Sequence, residues 1–272
     1  MDISYHVAFH KDNSPKLLSY LKQHQIPHEH GEIVVSLDIL ESDSHWRFIE
    51  ECVKTDDLVS SPSKVFTKEE LLSAERLLMF CYWRFDYPQP EDTYCDGITY
   101  ISCHECQEKL KQVAPFRMKK APKMGKRGFL TMNWVDDELF VSENTKALLE
   151  QERFSDISFC EVQNKSGTEA IPEVYQLIVD QYLPANPIKE SVYAPGFSVC
   201  PACGGKKYRP NLKEKYIFRK EIFENAPDIV RTEERFGYNS ARQQVIVNQR
   251  FYRTITKYHL DRSLGFEPID LM

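Results

Sequence analysis

The sequence predicts a mixed α/β (α+β) fold: an N-terminal α/β lobe over residues 1–90, then a domain over residues 91–272 in which two strand-helix-strand repeats are joined through four cysteines. Three observations predict it. Apolar residues switch between the two-residue period of strands and the 3.6-residue period of helices through the first lobe. Pro88 and Pro90 then interrupt the chain, and the composition shifts to short apolar runs separated by loops. Beyond them, a succession of strand, polar cap, helix and strand occurs twice, each time after a CxxC pair.

In the first lobe, Ile3, Tyr5, Val7 and Phe9 alternate with polar residues, the pattern of a half-buried strand. Asn13-Ser14-Pro15 joins a capping residue to a proline suited to the first helical turn. Leu17, Leu18 and Leu21 follow at helical spacing, so a helix is expected from about 15 to 25. Glu32 to Leu40 reads as a second strand, and Ser44 to Val53, with Trp46, Phe48, Ile49 and Cys52, as a second helix. Thr67-Lys68-Glu69-Glu70 is a capping box in which Thr67 and Glu70 satisfy each other's free amides, and a helix is expected from it to about Phe85.

In the second domain, Leu139-Phe140-Val141-Ser142 opens a segment running through Leu148 and Leu149 to Ile157–Val162. Val245-Ile246-Val247-Asn248 opens another, through Ile255 and Leu260 to Leu264–Ile269. Val141 and Val247 lie 106 positions apart, and Cys103 and Cys200 lie 97 apart. Two copies of one unit facing each other across a pseudo-twofold would each donate two sulfurs. The alternative is a chance match between two common patterns.

Four of the eight cysteines form the pairs Cys103-His104-Glu105-Cys106 and Cys200-Pro201-Ala202-Cys203, the second followed by Gly204-Gly205. In a reducing compartment, clustered cysteines hold metal or do redox chemistry more often than they form structural disulfides. Two residues between sulfurs let a tight turn aim both thiolates at one point, and two such turns supply a tetrahedral zinc site with bonds of about 2.3 Å. Cys103, Cys106, Cys200 and Cys203 are therefore the candidate ligands of a structural Zn2+, a zinc-ribbon-like arrangement. Gly204 and Gly205 permit positive φ and the approach of backbone amides to sulfur. Cys106 and Cys200 are 94 positions apart, far beyond the roughly 15 to 20 residues inside a self-contained finger. The metal would thus clasp remote segments. A thioredoxin-like redox pair and unmetallated thiols are the alternatives, with His104 or Cys95 as possible extra ligands. Neither pair sits where a strand clearly feeds a helix, as the redox motif requires.

On Cys200-Pro201-Ala202-Cys203-Gly204, on Leu139-Phe140-Val141-Ser142 leading into Phe159, and on Val245-Ile246-Val247 to Phe266-Glu267-Pro268-Ile269, residues 95 to 272 resemble a bacterial family. It is that of the double-CxxCG motif proteins and the related immunity proteins of polymorphic toxin systems. Gln107 stands where the motif has glycine after the first pair, so the first turn need not match the family's. The resemblance implies a non-catalytic protein that binds and neutralises a cognate toxin, with Cys103, Cys106, Cys200 and Cys203 carried over as metal ligands.

Composition narrows the function classes. With 42% hydrophobic and 28% charged residues the chain has ordinary globular composition, which excludes disorder and collagen-like repeats. No apolar run reaches the eighteen or so residues of a membrane helix, and the first residues lack a signal-peptide pattern, so a soluble, cytoplasmic protein is expected. A net charge of -6 argues against a protein devoted to duplex nucleic acid.

Familiar catalytic motifs are missing: there is no HExxH, GxSxG, GxxxxGK[ST] or GxGxxG. His28-Glu29-His30 could ligate a metal and Asp136-Asp137-Glu138 resembles a carboxylate cluster, but the first follows Pro27 in an expected loop and the second precedes a strand, so both read first as solvated turns. Two basic runs support a second class of function, single-stranded nucleic-acid binding. The first is Arg117, Lys119, Lys120, Lys123, Lys126 and Arg127, flanked by Phe116 and Phe129. The second spans Lys206 to Lys220, interleaved with Tyr208, Tyr216 and Phe218. The same cations also suit an acidic protein partner. The leading expectation is a non-enzymatic, zinc-stabilised binding protein of the immunity type. A zinc-stabilised nucleic-acid binder comes second, and an enzyme with an unfamiliar site third.

Overall fold

A computed structural model describes residues 1–92, 96–184, 197–209, 212–237 and 241–272. The chain is mixed α+β. It divides into two compact units, Met1–Leu71 with Asn211–Lys215, and Leu72–Pro210 with Tyr216–Met272. Among the described residues no helix is long and apolar enough to cross a membrane.

The first unit contains β1 (Asp2–His10), α1 (Pro15–Gln23), β2 (Glu29–His30), β3 (Val34–Leu40), α2 (Trp46–Thr55) and β4 (Val59–Val65). Its sheet has the order β2-β3-β1-β4, all antiparallel. The alternation read at Ile3, Tyr5, Val7 and Phe9 is the buried face of β1, and Val35, Leu37 and Ile39 are that of β3. Leu17 and Leu21 of α1 and Trp46, Ile49 and Cys52 of α2 close over this face, with Tyr5 stacked on Trp46 at 3.9 Å between centroids. Each such side chain contributes about 1.5–3 kcal/mol by leaving water. β4 gave no strand signal because Ser60, Ser61 and Ser63 are polar and Pro62 cannot donate to a ladder. It is tolerated because β4 is an edge strand.

The capping box forms. The Thr67 amide donates to Glu70 Oε2 at 2.8 Å, and the Glu70 amide donates to Thr67 Oγ1 at 3.2 Å, opening α3 (Lys68–Ser73). The helix does not continue to Phe85, and Arg76–Cys81 instead forms β5. Leu77, Leu78 and Met79 are buried at consecutive positions because β5 is an interior strand, covered on both faces and paired on both edges. Such strands read as continuous apolar runs and are indistinguishable by period from helix. Residues 76–81, expected within the first lobe, therefore belong to the second unit's sheet.

The second unit continues with β6 (Tyr100–Ser102), β7 (Lys109–Gln112), β8 (Arg117–Met118), β9 (Phe129–Met132), β10 (Val135–Ser142), α4 (Glu143–Gln151), β11 (Ile157–Asn164) and β12 (Ala170–Val179). Then follow β13 (Phe197–Val199), β14 (Lys206–Tyr208), β15 (Ile217–Phe218), β16 (Ile229–Phe236), β17 (Arg242–Asn248), α5 (Gln249–Lys257), β18 (Leu264–Pro268) and β19 (Asp270–Leu271). One sheet runs β8-β11-β12-β10-β9 and another β13-β14-β16-β17-β5-β18, while β6-β7 and β15-β19 form two-stranded pairs.

Four neighbouring strands of one large sheet, β11-β12-β10-β9, follow the same order as four of the other, β18-β5-β17-β16, while β8, β13 and β14 have no counterpart. In the first, β12 lies between β10 and β11, with Leu177 opposite both Leu139 and Phe159. In the second, β5 lies between β17 and β18, with Met79 opposite both Val245 and Phe266. The strand-cap-helix joints match as well. Ser142 Oγ accepts from the Thr145 amide at 3.2 Å to start α4, and Asn248 Oδ1 accepts from the Phe251 amide at 3.0 Å to start α5. Phe140, Leu130, Met132 and Val162 lie in the core of the first sheet, and Leu78, Tyr208, Val230, Phe236 and Ile246 in that of the second.

Candidate metal centre

Each CxxC pair occupies the turn of a short hairpin. Cys103 and Cys106 lie between β6 and β7, and Cys200 and Cys203 between β13 and β14. The hairpins close with the same hydrogen bonds. The Cys103 amide donates to Glu108 O at 2.8 Å and the Gln107 amide to Cys103 O at 2.9 Å. Across the site, the Cys200 amide donates to Gly205 O at 2.9 Å and the Gly204 amide to Cys200 O at 2.9 Å. Although Gln107 replaces glycine after the first pair, so that its turn need not match, Gln107 adopts φ 60°, the left-handed conformation that Gly204 holds at φ 70°.

The four sulfurs converge. Cys103 Sγ lies 3.8 Å from Cys200 Sγ and Cys106 Sγ lies 3.8 Å from Cys203 Sγ, and all four are within 4.8 Å of one another. A disulfide would bring two sulfurs to about 2.05 Å. Bonds of about 2.3 Å to a tetrahedral zinc put ligand sulfurs about 3.8 Å apart. The donor set therefore fits a single soft divalent ion, with each contact pair drawn from both hairpins. Cys103 is buried and the other three are half-buried. The Gly205 amide donates to Cys203 Sγ at 3.4 Å, an N–H···S bond of the kind that stabilises a thiolate ligand. The amides of Cys203 and Ala202 pull the Cys200 thiol down to about 7, while burial pushes Cys106 up to about 12. A metal entering this site would have to displace these protons, so its affinity would fall as pH falls.

His104 is exposed at the tip of its turn, where its carbonyl accepts from Gln107 Nε2 at 3.0 Å, and its ring is not among the converging donors. Cys95 lies outside the described residues. Cys52 is in the core of the first unit, Cys81 ends β5 and Cys160 is on β11. In His28-Glu29-His30, read from the sequence as a solvated turn, Glu29 and His30 are exposed but lie in β2, and His28 is half-buried with its Nδ1 2.7 Å from Ile26 O.

Asp136-Asp137-Glu138 is not a solvated turn, contrary to the sequence expectation. Glu138 is 5% exposed and is held by Arg231, 3% exposed, through paired bonds of 3.1 and 3.4 Å. Lys109 also contacts Glu138 and reaches Asp137 at 3.2 Å, while Arg235 bridges Asp137 at 3.2 Å and Glu108 at 3.4 Å. Lys207 completes the chain on Glu108. Burial raises both carboxyls, yet Lys109 and Arg235 on Asp137, and Arg231 and Lys109 on Glu138, hold them below the usual carboxylate range. Glu108, Lys109 and Lys207 directly follow the two CxxC turns, so the network links the hairpins to β10 and β16. Sequence reasoning missed it because its partners are 93 or more positions apart for the Glu138–Arg231 and Asp137–Arg235 pairs.

The aromatic residues nominated beside the basic runs are packed inside: Phe116, Phe129, Tyr208 and Phe218 have no exposed surface, and Tyr216 packs on Phe236. In the first run Phe116 and Phe129 flank a loop that carries the cations, and in the second Tyr208 and Phe218 are the buried positions of the short strands β14 and β15. Lys213 pairs with Glu41 at 3.1 Å and Lys220 with Glu75 at 3.1 Å. No protein-family model matches the chain, and no curated protein matches it either.

Proposed function

We propose that the four sulfurs hold one structural Zn2+ and that the protein acts by binding another protein, as an immunity protein that neutralises a cognate toxin. The observation that carries the metal reading is the 3.8 Å spacing of Cys103 with Cys200 and of Cys106 with Cys203. Four thiolates close a tetrahedral zinc and leave no position for water, so the ion would supply folding energy and no hydrolytic chemistry. In finger peptides that energy is about 10–16 kcal/mol. The clasp would join two copies of one structural unit, a reading supported by the matching strand neighbours of β5 and β12 and by the matching caps at Ser142 and Asn248.

A rigid, closed metal core supports a role in which the surface does the work. The toxin-directed form of that role draws on the resemblance carried by the second CxxC turn and the two strand-cap segments. The test is co-expression with toxin-like reading frames encoded beside its gene. Growth rescue together with a stable complex is expected, and a chain that rescues none and binds none contradicts the reading.

A further inference from the structure

We infer that the loop over residues 119–127 is the surface that docks an acidic face of a protein partner, an inference that rests on the protein-binding reading above. Lys119, Lys120, Lys123, Lys126 and Arg127 are all exposed on this loop. The loop is pinned from below by Met118, 0% exposed, by Met124, 8% exposed, and by Phe129, 0% exposed. A turn at Gly125, φ 57°, brings the Arg127 amide onto Met124 O at 3.0 Å. Among the described residues none of the five cations has a carboxylate partner. Lys54, Lys213 and Lys220, by contrast, are each paired with a glutamate. In a chain of net charge -6, a compact cluster of five uncompensated cations sets up a local field opposite to that of the whole.

Two of the cations are held in place by rings. The Arg127 guanidinium lies 4.7 Å over Trp83 and the Lys120 ammonium 6.0 Å over Phe85. The segment bearing these rings is fastened to β9: the Thr131 amide donates to Trp83 O at 2.9 Å, and the Phe85 amide donates to Thr131 O at 2.9 Å. Charges fixed in this way lose less freedom on binding than lysines on a loose loop. Beyond them, Tyr87 and Trp134 are 37% and 51% exposed and lie 4.5 Å apart. The Asn133 amide ties the Trp134 turn to Asp86 O at 3.1 Å. Tyr, Trp and Arg are the residue types that dominate binding energy at protein interfaces.

The same features favour protein over nucleic acid. Binding of single strands relies on rings whose faces are open to bases. Here Trp83 and Phe85 are already faced by the protein's own cations, and Phe116 and Phe129 have no exposed surface. A strand of phosphates longer than the loop would also run beyond its five cations in a chain of net charge -6, whereas a compact acidic patch would not, since charges are screened over about 8 Å at physiological salt.

The experiment uses the full chain and a fluorescent peptide of four Glu-Asp-Glu-Tyr repeats, with an oligothymidylate of equal charge for comparison. The variant Lys119→Ala/Lys120→Ala/Lys123→Ala is set against a control, Lys22→Ala/Lys68→Ala/Lys165→Ala, that removes the same charge elsewhere, and both are checked for an unchanged melting temperature. Wild type is expected to prefer the peptide, and the loop variant to lose about tenfold in affinity while the control loses less than twofold. Equal losses in the two variants, or no peptide binding by wild type, overturn the assignment of the surface and leave the protein-binding reading standing. Tighter binding of the oligothymidylate than of the peptide, lost in the loop variant, overturns both.

Discussion

Gln107 and Gly204 occupy equivalent positions in the two cysteine hairpins: each follows the second cysteine, each has positive φ, 60° and 70°, and each donates its amide to the carbonyl of the first cysteine at 2.9 Å. The requirement belongs to the turn, and glycine is only its least strained solution. A left-handed conformation costs an L-residue about 1–2 kcal/mol. Gln107→Gly is therefore expected to stabilise the chain by about 1 kcal/mol in urea unfolding. A Cβ at position 204 meets nothing within 4 Å, so Gly204→Ala carries only backbone strain and is expected to destabilise by about the same amount.

Gly205 differs from Gly204, because a Cβ built there would lie 3.2 Å from Cys203 Sγ. With a metal bound, the sulfur would be held by its coordination geometry and could not yield freely. Gly205→Ala is expected to lower zinc affinity about tenfold or more in a chelator competition, an order of magnitude in line with other groups that orient metal ligands. Gly204→Ala is expected to leave that affinity within about twofold. Equal effects at the two positions would contradict the geometry.

The Glu138–Arg231 pair is buried on both sides, so removing one partner strands the other. Glu138→Gln is expected to cost about 3–5 kcal/mol in chemical denaturation. The double change Glu138→Met/Arg231→Met is expected to cost much less than the sum of the single Met changes, since no buried charge is then left unpaired. A double-mutant cycle showing additive effects would mean that the pair is not coupled.

Asp137 and Glu138 carry a pH signature. In the folded chain both sit below their ordinary values of 3.8 and 4.5, because buried cations outweigh the effect of burial. The unfolded chain therefore binds more protons in acid. The associated stability is fully present above the unfolded values and is lost as pH falls below about 4 toward the folded values. Asp137→Asn is expected to flatten the decline of melting temperature between about pH 5 and 3 relative to wild type. A decline of unchanged slope would remove Asp137 from the explanation.

Much of the fold was legible where the signal is local. The alternation of Ile3, Tyr5, Val7 and Phe9, the Thr67–Glu70 capping box and the caps ending in Ser142 and Asn248 each depend on residues a few positions apart. The two CxxC turns were legible for the same reason, because chemistry and spacing coincide within four residues. Two features were not. Leu77-Leu78-Met79 carries no period, since an interior strand is apolar at every position, and only its pairing with Val245 and Phe266 far along the chain makes it β5. The acids at 136–138 were visible but misread, because burial of Glu138 depends on Arg231 arriving from another strand. Long-range partners decide both cases, and a local pattern does not contain them.

The most direct test of the clasp is X-ray absorption at the zinc edge of protein purified without added metal, paired with elemental analysis. The expected result is one zinc per chain in a first shell of four sulfurs at about 2.3 Å, reduced to substoichiometric metal in Cys200→Ser. A first shell of two sulfurs completed by nitrogen or oxygen, or a folded chain that holds no zinc and melts at the same temperature as Cys200→Ser, would contradict it.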